Sequence, residues 1–153
     1  MTARLSGRDG VRAILLRHEA AVGASETSLR PGMVTPTWST GPGRALLWDH
    51  AQAELETLLA DVQFVGVGGP GAARSVPEVV ALMRRDREGG MVRAEEEYDD
   101  GVLELALPIR DAGGGIIAAI SVSHPMDERE TIGALADTVA EAAAALTGLA
   151  SRR

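Results

Sequence analysis

The chain has no cysteine and no lysine, and only 3% of its 153 residues are aromatic. Without cysteine there can be no disulfide, no thiolate metal site and no cysteine nucleophile. With so few rings, the core must come from Leu, Val, Ile and Ala. Positive charge is scarce too: the formal net charge is -7, and no arginine run exceeds two residues. A surface of this kind lacks the basic patch that neutralises phosphates, which argues against nucleic-acid binding by this chain alone. No uninterrupted apolar run is long enough to cross a bilayer, and the first ten residues contain no apolar signal core. The chain therefore reads as cytoplasmic, with no membrane partner.

A chain with 45% hydrophobic and 24% charged residues has the balance of a folded protein and the length of one domain. Residues 2–7 and 11–19 flank Asp9-Gly10, a hairpin signal in which both turn positions tolerate positive φ. Residues 20–37 read as a loop, with a short strand near 27–30. Thr40 and Pro42 mark a helix start, Asp49 is a candidate cap for a helix over 51–60, and Ser75-Val76-Pro77-Glu78 is a capping box. That third helix is expected to stop at Gly89-Gly90. Strands follow over 91–95, 101–110 and 115–123. From about Asp127, Ile132, Leu135, Val139, Ala142, Leu146 and Leu149 form one helical stripe. Strands joined by hairpins rather than crossovers predict an α+β fold, with a mainly antiparallel sheet and helices packed against it.

The hairpin over 101–123 alternates cleanly. Leu103, Leu105, Leu107 and Ile109 share a face with Ile116, Ala118, Ile120 and Val122, a dry core under helices. The opposite face carries Glu104, Ala106, Ala119, Ser121 and Ser123. Such a face either meets solvent or floors a ligand pocket, since small side chains leave room and a few polar groups give direction.

Other signals carry less. Gly66 to Gly71 matches G-x-G-x-x-G literally, but Pro70 and Pro77 interrupt the helix a dinucleotide site needs, and a flexible connection fits better. The acidic stretch 95–100 lacks the spacing of a calcium loop and reads as a solvated turn. His18, His50 and His124 form no ligand-spaced motif. No nucleophile–base pair is apparent. The expectation is no catalytic residue, no metal and no cofactor.

Three segments resemble the effector-binding domain of the IclR family of bacterial transcriptional regulators. Residues 35–47 (TPTWSTGPGRALL) are similar to the family's LPLHAxAxGKALL stretch. Within 90–111, Glu95, Glu96, Glu97, Tyr98, Gly101, Leu105, Ala106 and Ile109 fall in register with its signature. Residues 115–125 (GIIAAISVSHP) are close to its VVAALSVSGP. The resemblance implies a GAF-like fold over residues 1–153, binding of a small-molecule effector, and homodimers or homotetramers. It also implies DNA binding only through a winged helix-turn-helix domain that is not in this chain. The implied effector contacts are Gly41, Pro42, Ala94, Glu104, Ser121 and Ser123, with Trp38 a candidate wall and Trp48 a core residue. A dimerisation module with a decayed pocket is the alternative.

Ser121 and Ser123 match the family pattern. Ala94, Glu104 and Arg110 depart from it, and Pro42 removes an N–H donor. Glu104 brings a negative charge that either faces a ligand or pairs internally with Arg12, Arg17 or Arg93. Together these changes disfavour a compact carboxylate as effector. The segments 60–74 and 20–36 are candidate moving parts.

Overall fold

The computed structural model describes residues 1–21 and 29–152. Six strands form one sheet in the order β3-β2-β1-β6-β5-β4, with every neighbouring pair antiparallel. They are β1 Thr2–Asp9, β2 Arg12–Ala20, β3 Val34–Pro36, β4 Val92–Glu95, β5 Val102–Arg110 and β6 Ile116–Pro125. The helices are α1 Gly41–Leu46, α2 Gln52–Leu58, α3 Val76–Gly89 and α4 Ile132–Ala150. The last strand thus lies beside the first, and β1 and β6 make the centre of the sheet.

The β1–β2 turn lies one residue later than the Asp-Gly pattern suggested. Asp9 pairs with Arg12 inside the ladder, and Gly10 and Val11 make the turn. Only Gly10 has positive φ, +56°. A two-residue hairpin with glycine at its first central position suits the twist of its strands. The strand expected near 27–30 falls partly outside the described residues; Leu29 and Arg30 are not in a strand, and β3 forms at Val34–Pro36 instead.

Both faces of the β5–β6 hairpin are covered. Leu103, Leu105 and Val122 pack against Val139 of α4, with Leu107, Ile120, Ile132 and Leu135 around them. On the other face Ala106 and Ala119 pack against Ala45 and Leu46 of α1, together with Ala13 and Val92. The solvent reading of that second face is therefore wrong. Ile116 also changes sides: a register shift between Ile109 and Arg110 moves it into the α1 cluster. A bulge inserts one residue and reverses side-chain parity beyond it, which strict alternation cannot foresee.

A separate core lies among the helices, where Leu47, Leu55, Leu59, Val79 and Met83 enclose Trp38. Trp38 is 7% exposed and sits 5.5 Å from the Phe64 ring, while Trp48 is only partly buried. Trp48 packs against the α1 cluster, as a core residue should, whereas Trp38 is also a core residue rather than a pocket wall. Asp49 caps nothing. Helix α2 starts at Ala51, whose N–H donates to Glu54, and Asp49 makes a bidentate pair with Arg110. Helix α3 is capped by Ser75, which accepts the Glu78 N–H, and stops at Gly89 with Gly90 in the left-handed C-cap, as expected. The Glu78 carboxylate takes the Arg74 N–H instead of the Ser75 N–H that a full capping box requires.

A polar sheet face under α1

Strand β1 reads Thr2, Arg4 and Ser6 on one face and Ala3, Leu5 and Gly7 on the other; the first three are buried. Register aligns them with the polar side of the hairpin. One row runs His18, Arg4, Ser121, Ala106 and Val92 across β2, β1, β6, β5 and β4. The next runs Thr2, Ser123, Glu104 and Ala94. Ala94, Ala106 and Ala119 keep the middle of the face shallow, and Ser121 is fully buried within it.

The start of α1 lies over these rows. Thr40 caps the helix by accepting from the Gly43 N–H, 3.2 Å. Pro42 has no N–H to offer. The Gly41 N–H donates to Glu104 Oε2 at 2.8 Å. A Cβ on residue 41 would sit 2.8 Å from the Glu104 Cβ, so only glycine lets the helix come this close. Glu104 Oε1 accepts from Arg4 Nη1 at 3.0 Å, and both side chains are nearly excluded from solvent.

This pairing corrects the partner expected for Glu104. Arg17 pairs with Glu19 and Arg93 with Glu95, whereas Arg4 reaches Glu104 from across the sheet. Burial raises the Glu104 carboxyl above its ordinary value, opposed by the Arg4 charge and the Gly41 N–H. The Tyr98 phenol is raised as well, by burial first and then by the charges of Asp99 and Glu104.

Several polar atoms on and beside this face are buried with no hydrogen-bond partner among the described residues. They include Ser121 Oγ, Arg4 Nε, His18 Nδ1, Ser39 Oγ and Trp38 Nε1. Buried polar groups are satisfied in the great majority of cases, so a cluster of exceptions marks a place where something polar belongs.

The far side of α1 is built differently. Arg44 is fully buried; its Nε donates to Asp86 Oδ2 at 2.8 Å, Nη1 to Glu97 and Nη2 to the Arg93 carbonyl at 3.2 Å. Burial lowers the Arg44 guanidinium below its ordinary value, with Asp86 opposing. Glu97 is 3% exposed, so the acidic stretch 95–100 is not simply a solvated turn. The connection over 60–74 docks on the same turn. Gly69 and Gly71 donate backbone N–H groups to Glu97 and Glu96 carbonyls at 2.9 Å each. Arg74 donates to the carbonyls of Phe64, Val67 and Gly69, so this connection is anchored rather than loose.

All seven residues singled out from the sequence are buried: Trp38, Gly41, Pro42, Ala94, Glu104, Ser121 and Ser123. Gly41, Ala94, Glu104, Ser121 and Ser123 converge under α1, with Pro42 beside Gly41. Trp38 turns its ring into the helical core. Arg4 was missed. The alternation of Thr2, Arg4 and Ser6 in β1 could have pointed to Arg4, because a buried strand face made of polar residues is unusual.

A sheet whose polar face is roofed by a short helix, with donors and acceptors turned inward, is the architecture of a sensor domain that encloses a small molecule. The chain belongs to the IclR family: residues 1–147 match the family described as bacterial transcriptional regulator IclR C-terminal. It is similar to the HTH-type transcriptional repressor AllR of Salmonella typhi, with 27% identity over 124 residues, 81% of this chain and 45% of that protein. It thus spans about half the length of that relative. The crystal structure of Agobacterium tumefaciens repressor BlcR superposes with a TM-score of 0.86 at 24% identity, covering 97% of this chain and 59% of the other. An IclR homolog from Microbacterium hydrocarbonoxydans, solved as a complex with 4-hydroxybenzoate, superposes with a TM-score of 0.83 at 20% identity, covering 96% of this chain and 59% of that one. The fold is therefore α+β and GAF-like, as the resemblance implied. The chain is a regulator's effector-binding domain, and not an enzyme.

Proposed function

We propose that the effector binds on the polar face under α1, touching Gly41, Ser121 and Ser123, with Pro42, Ala94 and Glu104 around it; Trp38, whose ring lies in the helical core, is left out of this site. The observation that carries this is Ser121. Its hydroxyl is fully buried, lies at the centre of a small-residue floor, and has no partner among the described residues. A pocket merely filled in by its own side chains would have paired that group or replaced it with an apolar one. This favours sensing over a decayed dimerisation module.

The bound molecule acts by favouring one conformation or assembly over another. DNA contact falls to a winged helix-turn-helix domain outside these 153 residues, in a soluble, cytoplasmic homodimer or homotetramer. The exposed apolar side chains Leu16, Val34, Ile117 and Leu149 offer surface that such an assembly would cover.

A melting-temperature screen of neutral aromatics, sugars, amides and short keto-acids tests the reading. A compound bound by the folded chain raises the transition by mass action. The same compound at the same concentration should give little or no rise with Ser121→Ala. A binder whose effect is unchanged in that variant contradicts the assignment.

A further inference from the structure

In a site of this kind, a ligand carboxylate would need a cation or free N–H donors. Here the Arg4 charge is already matched by Glu104, and the N–H donors at the start of α1 are already taken or missing. Glu104 holds the Gly41 N–H through one oxygen and Arg4 Nη1 through the other. Of the next two positions of α1, Pro42 has no N–H and the Gly43 N–H is held by Thr40. Among the described residues, Arg4 Nε, Ser121 Oγ and His18 Nδ1 have no partner and lie on three neighbouring strands in one cross-strand row.

We propose that Glu104 is a built-in carboxylate that occupies this site's own anion-accepting groups, so that the effector is a neutral molecule whose carbonyl or hydroxyl oxygens bind along the row Ser121–Arg4–His18. This rests on the site proposed above and names the ligand class it takes. Glu104 pairs with Arg4 through Nη1 alone, leaving the Nε–H to donate to an uncharged acceptor. Ser121 can donate or accept beside it. A second carboxylate entering here would meet the first at close range in a medium of low polarity, where like charges repel strongly. The row also carries the open polar groups beyond β5 and β6 on to β1 and β2.

The test removes the internal carboxylate and offers it back. Glu104→Ala deletes a CH2–COO⁻ group, which acetate matches in size and charge. The expected result is that sodium acetate raises the melting temperature of the variant, with an affinity at least about tenfold above acetamide or equal chloride. Wild type should show no acetate-specific shift, and Arg4→Met added to the variant should abolish the response. If Glu104→Ala fails to fold in plain buffer, acetate should restore the folded circular-dichroism spectrum. A folded variant indifferent to acetate, or one that stays unfolded in its presence, overturns the proposal. So does a carboxylate that binds wild type about tenfold more tightly than its own amide does.

This acetate response does not depend on finding the natural effector. A failed screen beside an intact acetate response would sink the sensing reading and leave the internal carboxylate standing. A sensor that binds carboxylates with Glu104 in place would do the reverse.

Discussion

The molecule buries two arginines on carboxylates, and the two places differ in completeness. Arg44 sends each of its three nitrogens to a partner: Asp86, Glu97 and the Arg93 carbonyl. Among the described residues Arg4 makes one side-chain bond, to Glu104, and its Nε has no partner there, beside an equally unpartnered Ser121 hydroxyl. A saturated buried ion pair fixes structure, whereas an unsaturated one leaves binding capacity open. Arg44 joins α1 to α3 and to the turn after β4. Arg4 and Glu104 line the face that α1 encloses. The same chemistry thus serves as a structural tie on one side of a short helix and as part of a binding surface on the other.

Stability should respond most where the network is complete. Arg44→Met leaves Asp86 and Glu97 buried without their cation, and breaking such a pair costs about 3–5 kcal/mol. The urea midpoint of the variant should fall accordingly. Arg4→Met strands a single carboxylate, which can take up a proton, so its loss should be smaller. Equal losses in the two variants would dissolve the contrast.

A finer difference lies in pH. The folded chain holds the Glu104 proton to higher pH than the unfolded chain, whose carboxyl releases it near the ordinary 4.5. Between that value and the raised one the native state binds more protons, so this group makes stability fall as pH rises through the window. Glu104→Gln should remove that contribution. Wild type should therefore lose stability relative to the variant as pH climbs from about 4.5. A difference that stays flat or grows with pH would show that Arg4 and Gly41, rather than burial, dominate Glu104.

Much of this fold is legible in the chain because its signals are local. The Ser75 cap, the glycines at the end of α3 and the alternation over 101–110 each depend on neighbours in sequence. The misreadings come from contacts that are not local. The bulge that moves Ile116 depends on how β5 meets β6, and the seat of Trp38 depends on the arrival of Phe64 and α3. Arg4 reaches Glu104 over a separation of 100 residues, because β1 and β6 are neighbours only in the folded sheet. Gly41, Glu104, Ser121 and Ser123 were visible through resemblance to a family pattern. That Glu104 had used up the donors around it could be read only from geometry.

The most direct measurement is to follow backbone amide resonances while titrating a compound that raises the melting temperature. If the effector binds under α1, the largest shifts fall on Gly41, Ser121 and Ser123, and on Arg4 and His18 where its oxygens lie along their row. Other cavities among the described residues lie away from this face, one lined by Arg8, Leu46, Asp49, His50, Ile116 and Ile117 and one by His50, Ala53, Glu54, Thr57 and Leu58. Shifts confined to such a cavity, with Gly41 and Ser121 unmoved, would contradict the site.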